Sequence, residues 1–251
     1  MTTAARHRVL AIDVGGNHVK LRVSNRKGIR QFVSGSELTP ARMVRHVHEL
    51  TGDWVYTAVS IGYPGIVVHG KIIMEPHNLG RGWVGFDFRK ALGRPTRIIN
   101  DAAMQAIGSY EGGRMLFLGL GTGLGSAMIV DGVVEPMELA HMRYKGDKTY
   151  EDFVGERARK RLGPKKWRRY VHQIVLELSA VLEPDYVVLG GGNSRKLRKM
   201  PPGARLGNND LAFIGAFRMW RPGGIFPARA QSRGGAKVAA GAAAARKRAT
   251  A

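Results

Sequence analysis

The sequence predicts a duplicated α/β protein whose two lobes face each other across a cleft. Three observations predict it. Strand-like and helix-like runs alternate along most of the chain. A strand–glycine turn–strand unit occurs twice, at 8–24 and at 114–131. With 251 residues of which 44% are hydrophobic, the chain can bury a core in one or two domains.

The elements follow in order. Residues 8–13 and 19–24 read as strands around Gly15-Gly16, and a third strand fits 29–33. Thr39-Pro40 is a helix start, a capping hydroxyl before a proline in the first turn, for a helix reaching Leu50. The apolar run 55–61 is a buried strand, followed by a hairpin at 66–68 and 71–74. A short strand at 96–99 leads into a helix opened by Asn100-Asp101 and ending near Tyr110. Strands at 114–119 and 125–130 flank a glycine turn. Helices fit 150–162, 164–183 and 208–220, with a strand at 186–189 running into Gly190-Gly191-Gly192. The first lobe is expected over 1–105 and the second over 106–207. Helix 208–220 is expected to return to the first.

Composition excludes several chemistries. There is no cysteine, hence no disulfide, thiolate zinc site, iron–sulfur cluster or cysteine nucleophile. No apolar run approaches the ~18 residues of a membrane-spanning helix. Strand-like sequence from about residue 8 is read as leaving no room for a signal peptide, so a cytoplasmic protein is expected. The formal charge is +21. Seven of those charges fall in 221–251, a Gly/Ala/Pro-rich stretch without acids that reads as a disordered tail able to bind nucleic acid only nonspecifically. Much of the remaining +14 gathers at 157–169 and 195–199, which suits a polyanionic partner.

No segment fits the Walker A loop, and Gly80–Gly85 matches the dinucleotide spacing without the strand before it that the motif needs. Asp13-Val14-Gly15-Gly16-Asn17 lies between two strands, where a glycine turn aims N–H groups at phosphate; Asp13 can hold a metal-bound water and Lys20 adds a cation. An ordinary hairpin with a capping aspartate fits the same residues. Four alternate glycines at Gly119, Gly121, Gly123 and Gly125 exceed what a hairpin needs, and with Thr122 they suit a wall of phosphate-binding donors. Gly190-Gly191-Gly192 fits either the floor of a nucleotide base or a plain turn. Asp101 reads alone as a helix cap or as a general base. Glu138 and His141, three apart, share one face of a helical turn and suit sugar hydroxyls; a metal pair would lack a third ligand. Lys165, Lys166, Arg168 and Arg169 crowd a helix N-terminus, where cations oppose the dipole; either a bound anion or a solvated face accounts for them.

Taken together, these motifs resemble a family. Asp13-x-Gly15-Gly16-x-x-x-Lys20, Pro64-Gly65, Asn78-Leu79, Gly82-Trp83, Asn100-Asp101, Gly121-Thr122-Gly123, Glu138-x-x-His141 and Gly190-Gly191-Gly192 stand in the order seen in ROK-family sugar kinases, and the chain most resembles their polyphosphate glucokinase branch. The likeness spans about 8–220. It implies an actin/hexokinase-like (ribonuclease H-like) fold of two lobes. It implies Asp101 as catalytic base, and sugar contacts at Gly65, Asn78, Asn100, Glu138 and His141. Phosphate loops are implied at Asp13–Asn17 with Lys20 and at Gly121–Gly123. The donor site would then involve Gly190–Gly192 and the Lys165–Arg169 cluster.

The implied reaction is phosphoryl transfer to the C6 hydroxyl of glucose from polyphosphate or ATP, with magnesium, without zinc, in a homodimer. The sequence departs from the family at Asn17, where threonine is usual, and at Ala140, where glycine is usual. The family's zinc-binding cysteines are missing, as they are in the polyphosphate-using branch. The helix after Asp101 also lacks the second Asn and closing Glu of ATP-dependent members. Two alternatives compete: an ATP-dependent kinase of another hexose or amino sugar, and a non-catalytic sugar-sensing or nucleic-acid-binding regulator.

Overall fold

A computed structural model describes residues 7–225. The first half forms β1 (Val9–Val14), β2 (His18–Val23), β3 (Arg30–Val33), α1 (Pro40–Thr51) and β4 (Ala58–Tyr63). A small hairpin follows, β5 (Val67–Val68) and β6 (Lys71–Ile72), then α2 (Phe88–Leu92), β7 (Thr96–Asn100) and α3 (Asp101–Ser109). The second half forms β8 (Arg114–Leu120), β9 (Leu124–Val130), β10 (Val133–Met137), β11 (Arg143–Lys145) and β12 (Lys148–Thr149). It continues with α4 (Glu151–Val154), α5 (Glu156–Leu182), β13 (Tyr186–Gly190), β14 (Ala204–Leu206) and α6 (Leu211–Arg218).

The duplication is visible in the topology. One sheet runs β3-β2-β1-β4-β7 and the other β10-β9-β8-β13-β14. In each, the first three strands in sequence form an antiparallel meander, and the last two strands add in parallel beside the first. Parallel strands buried on both faces are largely apolar, and β4 is buried throughout, its one serine, Ser60, included.

Strand alternation divides the side chains into layers. Leu10, Ile12 and Val14 of β1 face α1 and α2, whereas Ala11 faces α3 and α6. In β8, Leu116 and Leu118 face α5, whereas Met115 and Phe117 face α3 and α6. Helices α3 and α6 therefore form a middle layer between two sheets, and that core contains residues of both halves.

The α3–α6 contact is unusually close. A Cβ on Gly108 would lie 1.8 Å from the Leu211 carbonyl oxygen, and one on Gly215 would lie 1.8 Å from that of Met104. Arg218 of α6 donates to the carbonyls of Ile107, Gly108 and Tyr110, satisfying the open C-terminal end of α3. Ser60 of β4 donates to Ala216 and accepts from the Trp220 indole, which ties α6 to the first sheet.

Several expectations shift. Thr39 caps α1 as read, accepting from the Arg42 N–H, with Pro40 in the first turn. The strand expected at 55–61 begins at Ala58, because Thr51–Trp54 form a turn that leaves Val55 exposed. The helix expected at 150–162 is broken at Gly155, where a Cβ would stand 2.9 Å from the Thr122 carbonyl oxygen. The break before Pro164 is present as a kink, with Gly163 at φ 74°. The 208–220 helix is shorter, Leu211–Arg218. Of the tail expected to be disordered from 221, residues 221–225 turn back and Ile225 packs against the middle layer, while 226–251 lie outside the described residues.

Gly108→Ala and Gly215→Ala should each destabilise the fold by about 1–3 kcal/mol through overpacking, lowering Tm by about 2–4 °C per kcal/mol. Gly28→Ala, where nothing lies within 4 Å of a new Cβ, should leave Tm nearly unchanged. Thermal unfolding of the three variants checks this.

Candidate active site

Parallel pairing brings the carboxyl ends of β1, β4 and β7 side by side: Asp13 pairs with Gly62, and Tyr63 with Asn100. Open α/β sheets place ligands at such ends. Asp13 follows Ala11 by two residues and so faces α3, with Lys20 opposite it across the hairpin. After Asp13 the chain turns through Gly15, whose N–H donates to the His18 carbonyl at 3.0 Å. Ser34 pins the turn, its hydroxyl donating to the Gly15 carbonyl and its N–H to that of Asn17. The N–H groups of Gly16 and Asn17 have no acceptor among the described residues, and the space around Gly16 is open. The turn is therefore held from behind with two donors facing out.

Asp101 opens α3. The Asn100 side chain caps that helix, its Oδ1 accepting from the Ala103 N–H at 3.1 Å. Its Nδ2 donates to the Gly65 carbonyl at 3.1 Å, so Asn100 and Gly65 meet as the resemblance implied. Asp101 Oδ1 accepts from the Ala102 N–H at 2.8 Å. This bond and the helix dipole favour the carboxylate, but burial and the neighbouring Asp13 charge outweigh them and raise its pKa to about 7. A dipole worth about 0.3–1 kcal/mol is less than one pKa unit, so this order is expected. Asp13 is raised to about 6 by burial, against the pull of Lys20. Two carboxylates thus share one low-dielectric site, where the Asp13 charge disfavours that of Asp101.

Gly62 permits this approach. A Cβ there would stand 2.4 Å from the Met104 side chain and 3.5 Å from the Asp101 Cα. The sequence reading missed Gly62, although a glycine inside a buried strand is itself a sign of close backbone approach.

The second glycine turn is smaller than expected. Gly119 and Gly125 are paired within β8 and β9, and the loop is only Gly121-Thr122-Gly123. The wall of donors from four glycines is therefore not formed. Gly121 N–H is spent on the Gly123 carbonyl, and Leu124 N–H donates to the Glu151 carboxylate at 3.1 Å. Thr122 and Gly123 keep N–H groups without an acceptor among the described residues. The other glycines serve packing: a Cβ on Gly125 would meet the Ala102 methyl at 2.7 Å, and one on Gly123 the Glu151 carboxylate at 2.1 Å. Glu151, which fixes this loop from α4, was also missed. Its signal lies in three dimensions only.

Behind the loop, Glu156 N–H donates to the Thr122 carbonyl, and Asn193 Nδ2 to that of Gly121. Gly190-Gly191-Gly192 is a turn packed on Leu120. Gly190 is buried, Gly191 has φ 78° with a virtual Cβ 2.4 Å from the Leu120 oxygen, and Gly192 alone is open. Arg168 donates to the Lys196 carbonyl and Lys196 to Asn193, so the two basic clusters meet beside this loop. Lys165, Lys166 and Arg169 are exposed, and no described hydrogen bond or ion pair joins them to either glycine turn.

Glu138 and His141 bracket a 3₁₀ turn and touch each other, Nδ1 to Oε1 at 3.1 Å. Ser126 holds that turn, accepting from Leu139 N–H and donating to the Met137 carbonyl. Leu139 and Ala140 of that turn pack with Leu118 in the core shared with α5, across the second sheet from the core that holds α3. Asn78 is exposed on a separate loop, and no described contact joins it to Asp101.

A family model described as ROK family matches residues 9–136, just over half of the chain. The chain belongs to the ROK family. It is 27% identical over 221 residues to the polyphosphate glucokinase of Mycobacterium leprae, covering 80% of this chain and 68% of that one. The inorganic polyphosphate/ATP-glucomannokinase of Arthrobacter sp. strain KM superposes with a TM-score of 0.71 at 24% identity, over 84% of this chain and 96% of that one. A ROK glucokinase of Streptomyces griseus, solved with glucose and AMPPNP, gives a TM-score of 0.70 at 14% identity, over 85% and 99%. The two-lobed actin-like fold implied by the motifs is the fold of this ROK protein.

The raised pKa values set a sign for stability. Between the ordinary aspartate range near 4 and the folded values near 6 and 7, the native state binds more protons than the unfolded chain, so stability falls as pH rises through that window. Asp101→Asn should therefore raise the Tm of the ligand-free protein at pH 8, with the gain vanishing near pH 4. Thermal unfolding across pH checks this.

Proposed function

We propose that this ROK protein is a sugar kinase that transfers a phosphoryl group to the C6 hydroxyl of glucose or a related hexose. The observation that carries this reading is Asp101: a carboxylate at the cleft end of α3, poised near pH 7, between two glycine turns that each present two open N–H donors. A base works best with a pKa near the operating pH. The kinase relatives named above support the same reading.

In this mechanism Asp101 accepts the proton of the sugar hydroxyl as its oxygen bonds to the terminal phosphorus and the bond to the leaving phosphate breaks. Asn100 holds Asp101 at the helix start, and Glu138 with His141 grips neighbouring hydroxyls. The N–H groups of Gly16, Asn17, Thr122 and Gly123 stabilise charge on the phosphoryl oxygens. Among the described residues no cluster of three or more His, Asp or Glu could hold a metal. Magnesium commonly binds through one or two carboxylates plus substrate phosphates, and Asp13 fits that pattern. When bound with the donor it would neutralise charge on the phosphate oxygens.

The donor is proposed to be polyphosphate, with ATP as a second donor. The basic clusters at 157–169 and 195–199 support this, because they adjoin the second glycine turn through Glu156, Asn193 and Lys196. Purified protein incubated with glucose, magnesium and each donor in turn should yield glucose 6-phosphate with polyphosphate. No product with either donor overturns the reading. Polyphosphate KM should rise steeply with salt as counterion release predicts, and more steeply than that for ATP. Asp101→Asn should lower kcat by about 10²–10⁴ while sugar binding by calorimetry stays within about threefold. Full turnover in that variant would show that Asp101 is not the base.

A further inference from the structure

Glu75 is an acidic residue with an unusual set of partners. Its Oε2 accepts the backbone N–H groups of Gly82 at 3.0 Å and Trp83 at 3.1 Å, and its Oε1 accepts that of Val84 at 3.1 Å. Three consecutive N–H groups converging on one anion form a nest, here filled by the protein's own carboxylate. The same bonds explain why the glycine spacing at Gly80–Gly85 is no dinucleotide loop: its donors are taken.

These bonds close residues 75–84 into a loop, and the rest of the loop is anchored to the first lobe. Gly80 N–H donates to the Leu38 carbonyl, and a Cβ there would lie 3.0–3.1 Å from the backbone of Ser36 and Leu38. Leu79 and Trp83 are buried. Trp83 packs between Tyr63 and Phe88, with ring centroids 5.4 and 5.9 Å away and ring planes tilted by 41° and 36°. Its indole N–H has no partner among the described residues, so packing and the backbone bond to Glu75 hold it in place. Tyr63 donates to the Met74 carbonyl, fixing the residue before Glu75. His77 and Asn78 are exposed on this closed loop, together with Arg81, Gly82 and Val84.

We infer that Glu75 is a positioning residue for the sugar acceptor: by gathering the N–H groups of Gly82, Trp83 and Val84 it sets the loop that carries Asn78. The acceptor role rests on the kinase reading above. Removing the carboxylate leaves three donors unpaired and frees the loop, whereas the donor-side turns lie on other elements. Glutamine keeps one carbonyl for Gly82 and Trp83 but turns an amide donor toward Val84, so it is a partial replacement.

Steady-state kinetics and backbone hydrogen exchange on the full-length protein test this. Glu75→Ala should raise sugar KM about tenfold with kcat and donor KM within about threefold, and Glu75→Gln should fall between it and the wild type. Exchange protection at Gly82–Val84 should be lost in Glu75→Ala while that of β4 is kept. Unchanged sugar KM, or unchanged protection at Gly82–Val84, overturns the inference. So does a parallel loss in kcat and both KM values with a lowered Tm, which would mark Glu75 as merely structural. A wild type that phosphorylates no sugar overturns the kinase reading instead, and the exchange result then decides by itself whether Glu75 holds the loop.

Discussion

The site depends on one contact, the backbone-to-backbone packing of α3 against α6. Both helices give up side chains at the crossing, with Gly108 and Gly215 each facing a carbonyl that leaves no room for a methyl. The gain is a thin middle layer on which both sheets can pack. α6 comes from the end of the described chain, yet it secures a helix formed more than a hundred residues earlier. Arg218 then closes the C-terminal end of α3, and the opposite end presents Asp101. A carboxylate placed on a helix fixed at both ends has little freedom to move, which is what the proposed base role would require.

That placement has an electrostatic cost. Asp101 and Asp13 are brought together where water is scarce, and each carboxylate is held above its ordinary pKa. The proposed reaction would benefit, because a carboxylate near neutral pKa accepts a hydroxyl proton better than one near 4. Stability does not, because the ionised native state is disfavoured. The two glycine turns belong to the same logic. Each is supported from behind, by Ser34 in one lobe and by Glu151, Glu156 and Asn193 in the other, leaving N–H groups without an acceptor among the described residues.

Much of the fold was legible because local chemistry and tertiary structure agree. Thr39-Pro40 capped a helix as its sequence required, and Asn100 did the same for α3. The paired strand–turn–strand units announced the duplication. The short elements were missed. β14 has three residues and exists because β13 offers an edge for parallel pairing. β10 could have been found, since Asp131-Gly132 is a hairpin signal and both residues have positive φ. Asp13, Asn100 and Asp101 do come together at the strand ends, whereas Gly62 and Glu151 were not seen. Their roles are defined by atoms far away in sequence, the Met104 side chain for one and the Leu124 N–H for the other.

By itself, the sequence determined which residue types stand at each turn, where helices begin, the two-fold repetition and, through the ordered motifs, the family. These are properties of neighbours along the chain, set by dihedral preference, capping and periodicity. Only the tertiary structure decided which glycines serve packing rather than phosphate, and that four glycines reduce to one small loop. It alone brought the two basic clusters together beside that loop and raised the two aspartates. The reason is physical: exclusion of water, contact between backbones and repulsion between like charges depend on distance in space, and a one-dimensional pattern carries no distances.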